Sequence, residues 1–113
     1  MVTSPTSSYY SPCTRVILIT PPPVNTYQRA ADLASRDPPA LLDRAFEVTR
    51  KYAEAVTTAG LEENVEVVDI WTEMWEAVGQ NERELSQYLV DGLHLNAAGY
   101  NVSKAFVFYD YEC

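Results

Sequence analysis

Arg15-Val16-Ile17-Leu18-Ile19-Thr20 runs directly into Pro21-Pro22-Pro23. Val16 to Ile19 are four consecutive large aliphatics, three of them β-branched. A short unbroken apolar run stopped by proline is the pattern of a strand buried on both faces, as in a parallel sheet. Proline donates nothing to a ladder, so the strand ends there and delivers a stiff loop, Pro21 to Tyr27, at its C-terminal end.

Working outward from that strand, a short helical segment is expected around Tyr27–Ala34. Asp37-Pro38-Pro39 then reads as an N-cap with proline at the first helical position. Beyond it Leu41, Leu42, Ala45, Phe46, Thr49, Tyr52, Ala53 and Val56 recur at steps of three and four, with charged residues filling much of the other side. The spacing predicts an amphipathic helix of about five turns, ending at Gly60 in a left-handed cap. Val65-Glu66-Val67-Val68-Asp69 reads as a second strand, less uniformly apolar and so nearer an edge. Strand, helix, strand makes a βαβ unit with parallel strands and a right-handed crossover. Ile70, Trp71, Met74, Trp75 and Val78 share one face of a following helix that Gly79 stops; core packing is the favoured reading of this stripe over ligand binding. Residues 80–90 are polar and lead into Tyr88-Leu89-Val90. Asn96 reads as the N-cap of a last helix, with Val102, Ala105 and Phe106 inward. Upstream, residues 1–14 are an irregular arm rich in Ser, Thr, Pro and Tyr; the tail from Phe108 fits no regular element.

At 113 residues the chain holds one domain at most. Sixteen acidic residues against eight basic ones give a net charge of −8, which argues against a nucleic-acid partner and against an anionic membrane surface. Cys13 and Cys113 form no zinc or CxxC spacing, and a disulfide between them is left open. The N-terminus has no basic or apolar region of a signal peptide, and no apolar run is long enough to cross a bilayer. A cytoplasmic or otherwise soluble protein is expected. None of the four glycines stands in a phosphate-binding loop, and one histidine with scattered carboxylates meets no zinc spacing. No cofactor or metal is expected.

The only histidine lies in Asp91-Gly92-Leu93-His94-Leu95-Asn96. A turn brings positions three apart onto one side, within reach for the Asp91 carboxylate to meet the His94 imidazole. Such a pair makes a general base: the carboxylate fixes the tautomer, and the other nitrogen takes a proton from a hydroxyl nucleophile. Asp-Gly is also a common turn dipeptide, and a lone histidine is often structural. On spacing alone both readings stand.

Taken together, Val16-Ile17-Leu18-Ile19-Thr20-Pro21-Pro22-Pro23, Val67-Val68-Asp69-Ile70-Trp71 and Asp91-Gly92-Leu93-His94-Leu95-Asn96 resemble the SGNH (GDSL-type) hydrolases. Within them the set is most similar to the isoamyl acetate-hydrolysing esterases. The likeness runs from about residue 9 to residue 106. It implies an α/β, three-layer αβα (flavodoxin-like) fold, present here as a partial domain of two parallel strands with packed helices. It also implies serine-dependent hydrolysis of carboxylic esters, with short-chain acetate-type esters as the expected substrate class. By the same resemblance His94 is the general base and Asp91 its orienting partner. The family's Gly-Asp-Ser nucleophile block and its glycine and asparagine oxyanion donors precede the strand that ends in Pro21, and the sequence contains no Gly-Asp-Ser. Residues 15–113 are therefore expected to be the C-terminal portion of such a domain: an ester hydrolase fragment inactive by itself, whose parent binds a small-molecule ester. The alternative is a non-catalytic binding or regulatory half-domain of the same fold. Pro22, Pro23, Val24 and Leu93 are the expected contributors to a pocket wall.

Overall fold

The computed structural model describes residues 14–104, together with Thr6 and Ser8. Almost all of the expected N-terminal arm, both cysteines, Ala105, Phe106 and the tail lie outside the described residues.

The expected strand forms as β1, Ile17–Ile19, and pairs in parallel with β2, Glu66–Val68. The register sets Ile17 opposite Glu66, Leu18 opposite Val67 and Ile19 opposite Val68. Burial on both faces does not follow: Ile17 and Leu18 are half-buried and Ile19 is 49 % exposed. Among the described residues the sheet has only these two strands, so β1 has one neighbouring strand, with α2 packed against it.

Between the strands run α1, Thr26–Ala34, and α2, Phe46–Glu62. The expected first helix is found nearly residue for residue, capped by Asn25, whose side chain accepts from the Gln28 amide at 3.2 Å. The second helix has about the expected length but sits further along. Asp37 caps nothing. The Ala40 amide bonds back to the Leu33 carbonyl at 3.0 Å, which commits the segment to closing off α1 rather than opening a helix. Leu41, expected on the apolar face, is 92 % exposed, and Leu42 and Tyr52 are exposed as well. The face that does pack is Phe46, Thr49, Ala53 and Gly60, and α2 lies against both strands.

Gly60 is not a helix stop. The helix continues to Glu62, and the left-handed residue that ends it is Asn64, φ 53°. Val65 N–H returns to the Gly60 carbonyl and Asn64 N–H to that of Leu61, which is the paired closure of a Schellman end. A β-carbon on Gly60 would overlap the Val67 side chain, so glycine here serves the close approach of α2 to β2.

Ile70–Ala77 form α3 as expected, and Gly79, φ 62°, ends it with the same pair of returning bonds, Gln80 to Trp75 and Gly79 to Glu76. Its apolar stripe is core. Trp71, Met74 and Val78 are buried, and Phe46, Trp71 and Trp75 form a ring cluster with centroids 4.6–5.7 Å apart. The polar stretch after Gly79 folds into a 3-10 helix, Glu82–Gln87, whose fully buried Leu85 joins that core. The last helix, α4, spans Ala97–Lys104, with Asn96 accepting from the Gly99 amide at 2.9 Å as its N-cap.

Candidate functional site

The site is assembled where the strands end. Thr20, directly after β1, donates its hydroxyl to Asp69 Oδ1 at 3.1 Å and accepts from the Trp71 amide at 3.0 Å. Asp69, directly after β2, caps α3 through the Thr72 amide and hydroxyl. This clasp fixes the start of the proline loop, which carries the chain to Asn25 and α1.

Asn25 is the junction for the second part. Its amide donates to the Gly92 carbonyl at 3.0 Å, tying the head of α1 to the loop that holds the histidine. Gln28 Nε2 donates to the Leu89 carbonyl, and the Thr26 amide to Glu82. The loop is closed on itself by a bridge between Leu89 and Leu95, with the Val90 amide on the His94 carbonyl at 2.8 Å and the Asn96 amide on the Tyr88 carbonyl at 2.9 Å. Gly92 makes the turn at φ 85° and lies so close to Asn25 and Arg29 that a β-carbon would meet their backbones.

The loop brings Asp91 and His94 together. His94 Nδ1 stands 2.8 Å from Asp91 Oδ2, while Oδ1 accepts the amides of Leu93 at 3.0 Å and His94 at 2.8 Å. Burial of the carboxylate works against its charge, but the His94 amide, the His94 ring, the Leu93 amide and the attraction of an imidazolium outweigh it and hold the acid well below the usual carboxylate range. Asp91 is thus an acceptor only, and Nδ1 must donate to it. His94 is 70 % exposed on its side chain, and Nε2 has no partner among the described residues. An imidazole held in this way can accept a proton at Nε2.

One participant gives no sign in the sequence. Arg29, on α1, donates from Nη1 to Asp91 Oδ2 at 3.1 Å across 62 positions of chain. Its Nε and Nη2 hold both oxygens of Asp43 at 3.0 Å. The i,i+3 neighbour Asp32 marks Arg29 only as a helix charge; its hydrogen-bond partners come from two other loops.

Beside this network lies an apolar groove of about 410 Å³, walled by Pro21, Pro22, Val24, Val48 and Leu93 among others, with Asp43 at its edge. Pro22, Val24 and Leu93 stand where a pocket wall was expected, but Pro23 does not: its side chain is fully buried. His94 is not part of the wall, which reaches it only through Leu93. Among the described residues no group of three or more His, Cys, Asp or Glu could hold a metal ion, and no helix is long and apolar enough to cross a membrane.

The GDSL-like lipase/acylhydrolase family matches the chain over residues 9–102. The chain belongs to that family. It is 37 % identical over 84 residues to a GDSL esterase/lipase of Arabidopsis thaliana, a match covering 74 % of this chain and 24 % of the relative. It is 34 % identical over 88 residues to the isoamyl acetate-hydrolyzing esterase 1 homolog of Mus musculus, covering 78 % of this chain and 33 % of the relative. The human homolog of that esterase is 35 % identical over 90 residues, with the same coverage, 78 % and 33 %. The chain therefore spans about a quarter to a third of the length of these curated relatives. The mixed architecture of helices and two parallel strands agrees with the α/β fold of this family.

The lowered pKa of Asp91 in this GDSL-family chain has a consequence for stability. A carboxyl whose folded pKa lies below its unfolded value stabilises the fold fully above the unfolded value, about 4, and loses that contribution as pH falls through and below it. Urea midpoints should therefore decline from pH 5 downward. Asp91→Asn should flatten that decline, because the titrating group is gone; an unchanged pH slope in the variant would show that Asp91 does not contribute to it.

Proposed function

We propose that this chain carries the base-and-orienter portion of an SGNH-type carboxylic ester hydrolase, with His94 as general base, Asp91 as its orienting partner and small acetate-type esters as substrates. The observation that carries the reading is the Asp91 Oδ2–His94 Nδ1 contact at 2.8 Å in a loop that leaves Nε2 free of partners among the described residues. Family membership and the names of the relatives support the chemistry. The nucleophilic serine and the oxyanion donors belong, on this reading, to parts of the domain outside these 113 residues, and those parts complete the three-layer αβα arrangement around β1 and β2.

In the chemistry so assigned, Nε2 removes the proton from the serine hydroxyl as the oxygen bonds to the ester carbonyl carbon. Asp91 stabilises the imidazolium, which then returns the proton to the departing alkoxide as the carbon–oxygen bond breaks. Water repeats the cycle on the acyl-enzyme. The groove beside Leu93 supplies apolar surface for the acyl or alcohol chain.

The test is to join the chain in frame to the genomic sequence upstream of Met1 and assay p-nitrophenyl acetate and isoamyl acetate. The extended protein should hydrolyse both. The 113-residue chain alone should show no turnover above the uncatalysed rate, because the nucleophile and the oxyanion donors each supply orders of magnitude. An upstream sequence lacking a Gly-Asp-Ser segment would refute the assignment of the serine, and His94-dependent turnover by the chain alone would place the nucleophile within it.

A further inference from the structure

Arg29 is 4 % exposed, more buried than any of the carboxylates around it. A guanidinium so placed must be paired and hydrogen-bonded to be tolerated. Asp43 alone meets that need, taking Nε and Nη2 side-on with both oxygens. The remaining nitrogen, Nη1, instead reaches into the loop that carries the base. It donates at 3.1 Å to Asp91 Oδ2, the same oxygen that meets His94 Nδ1, and lies 3.7 Å from Asp32.

We propose that Arg29 is a positioning residue for the Asp91–His94 pair: it holds Asp91 Oδ2 against His94 Nδ1 and so decides which ring nitrogen of His94 carries the proton. The proposal rests on the reading of that pair as base and orienter. Among the described residues Asp91 takes four donors, two amides on Oδ1 and two side-chain nitrogens on Oδ2. The amides fix one end of the carboxylate, and Arg29 fixes the other against rotation about the last side-chain bond. Asp43 fixes Arg29 in turn and stands at the edge of the apolar groove. The guanidinium thus links the groove to the base.

The charged groups that meet the pair or its partners come from three elements: Arg29 and Asp32 on α1, Asp43 with its neighbour Arg44 on the connection to α2, and Glu82 on the 3-10 helix, which accepts from the Thr26 amide at the head of α1. Of these, Arg29 is the one with a hydrogen bond to Asp91 among the described residues.

His94 is the only histidine, so ring nitrogen-15 spectra of the labelled full chain give one Nδ1 and one Nε2 signal. At a pH where the ring is neutral, the wild type should show Nδ1 protonated and Nε2 unprotonated. Arg29→Met should raise the population protonated at Nε2 several-fold, since Asp91 is released and a free imidazole populates both forms. Asp43→Asn should move the spectrum the same way by less, and Arg29→Lys should restore part of the wild-type pattern. Arg50→Met removes a charge from α2 that pairs with Glu47 and Glu54 and touches neither Asp91 nor the partners of Arg29, and should change nothing. Wild-type tautomer populations in both Arg29→Met and Asp43→Asn would overturn the proposal; if Arg29→Met does not fold, Asp43→Asn and Arg29→Lys decide by the same criterion. The readout needs no turnover. A shifted tautomer supports the positioning role whatever the esterase assay shows, and an unshifted one overturns it whatever that assay shows.

Discussion

Replacing His94 by alanine in the extended, serine-bearing protein proposed above should lower kcat by at least about a thousandfold with little change in KM. On the proposed reading the imidazole acts on the proton in flight, so its loss would remove an interaction made in the transition state rather than one that holds the ester. The same substitution should leave folding stability within about 1 kcal/mol, because one hydrogen bond of an exposed side chain is lost and no cavity is opened. Rate and urea denaturation measured on the same preparation separate the two effects. A rate that survives His94→Ala would remove this histidine from the reaction altogether.

Gly92→Ala should be the most damaging single-atom addition to the loop, at about 2–4 kcal/mol. Two costs add. The backbone sits at φ 85°, where an L side chain is strained, and the new methyl would stand 2.7 Å from the Asn25 carbonyl oxygen and 2.9 Å from the Arg29 α-carbon. Neither neighbour is a flexible side chain, so the loop must lift away from α1. A fall in Tm on the order of 10–20 °C is expected. Gly79→Ala is the control: its φ is 62°, yet nothing lies within 4 Å of the added carbon, so the cost should be about 1–2 kcal/mol from the backbone alone. Equal losses at the two glycines would show that packing of the loop against α1 adds nothing.

What the sequence disclosed was local. The aliphatic run before Pro21, the left-handed stop at Gly79 and the cap at Asn96 each depend on neighbours within a few positions, and each is found where the residue types place it. The Asp91–His94 contact is equally short-ranged, which is why a three-residue spacing was enough to pick it out. The start of α2 departs from the local pattern for the opposite reason. Ala45 supplies no side-chain cap, and the Phe46 amide is met instead by the Thr26 hydroxyl at 2.9 Å, twenty residues upstream. The cap-like Asp37-Pro38 dipeptide was the stronger local signal and the wrong one. Gly60 misled in the same way: its glycine answers to a valine on the neighbouring strand, not to the end of its own helix. Arg29 carries no local signal, because three carboxylates drawn from α1 and two loops give it meaning only once the chain is folded.

The clasp between Thr20, Asp69 and Thr72 has a bearing on motion. The first amides of a helix have no partner within it and ordinarily exchange with solvent through fraying. Here the Trp71 amide is taken by the hydroxyl of Thr20 and the Thr72 amide by Asp69, while the Thr20 amide is taken by the Val68 carbonyl. Three amides at the edge of the proline loop are thereby bound into the ends of both strands. They should exchange deuterium more slowly than helix-terminal amides left to solvent, so that the edge of the proline loop moves with the sheet rather than by itself.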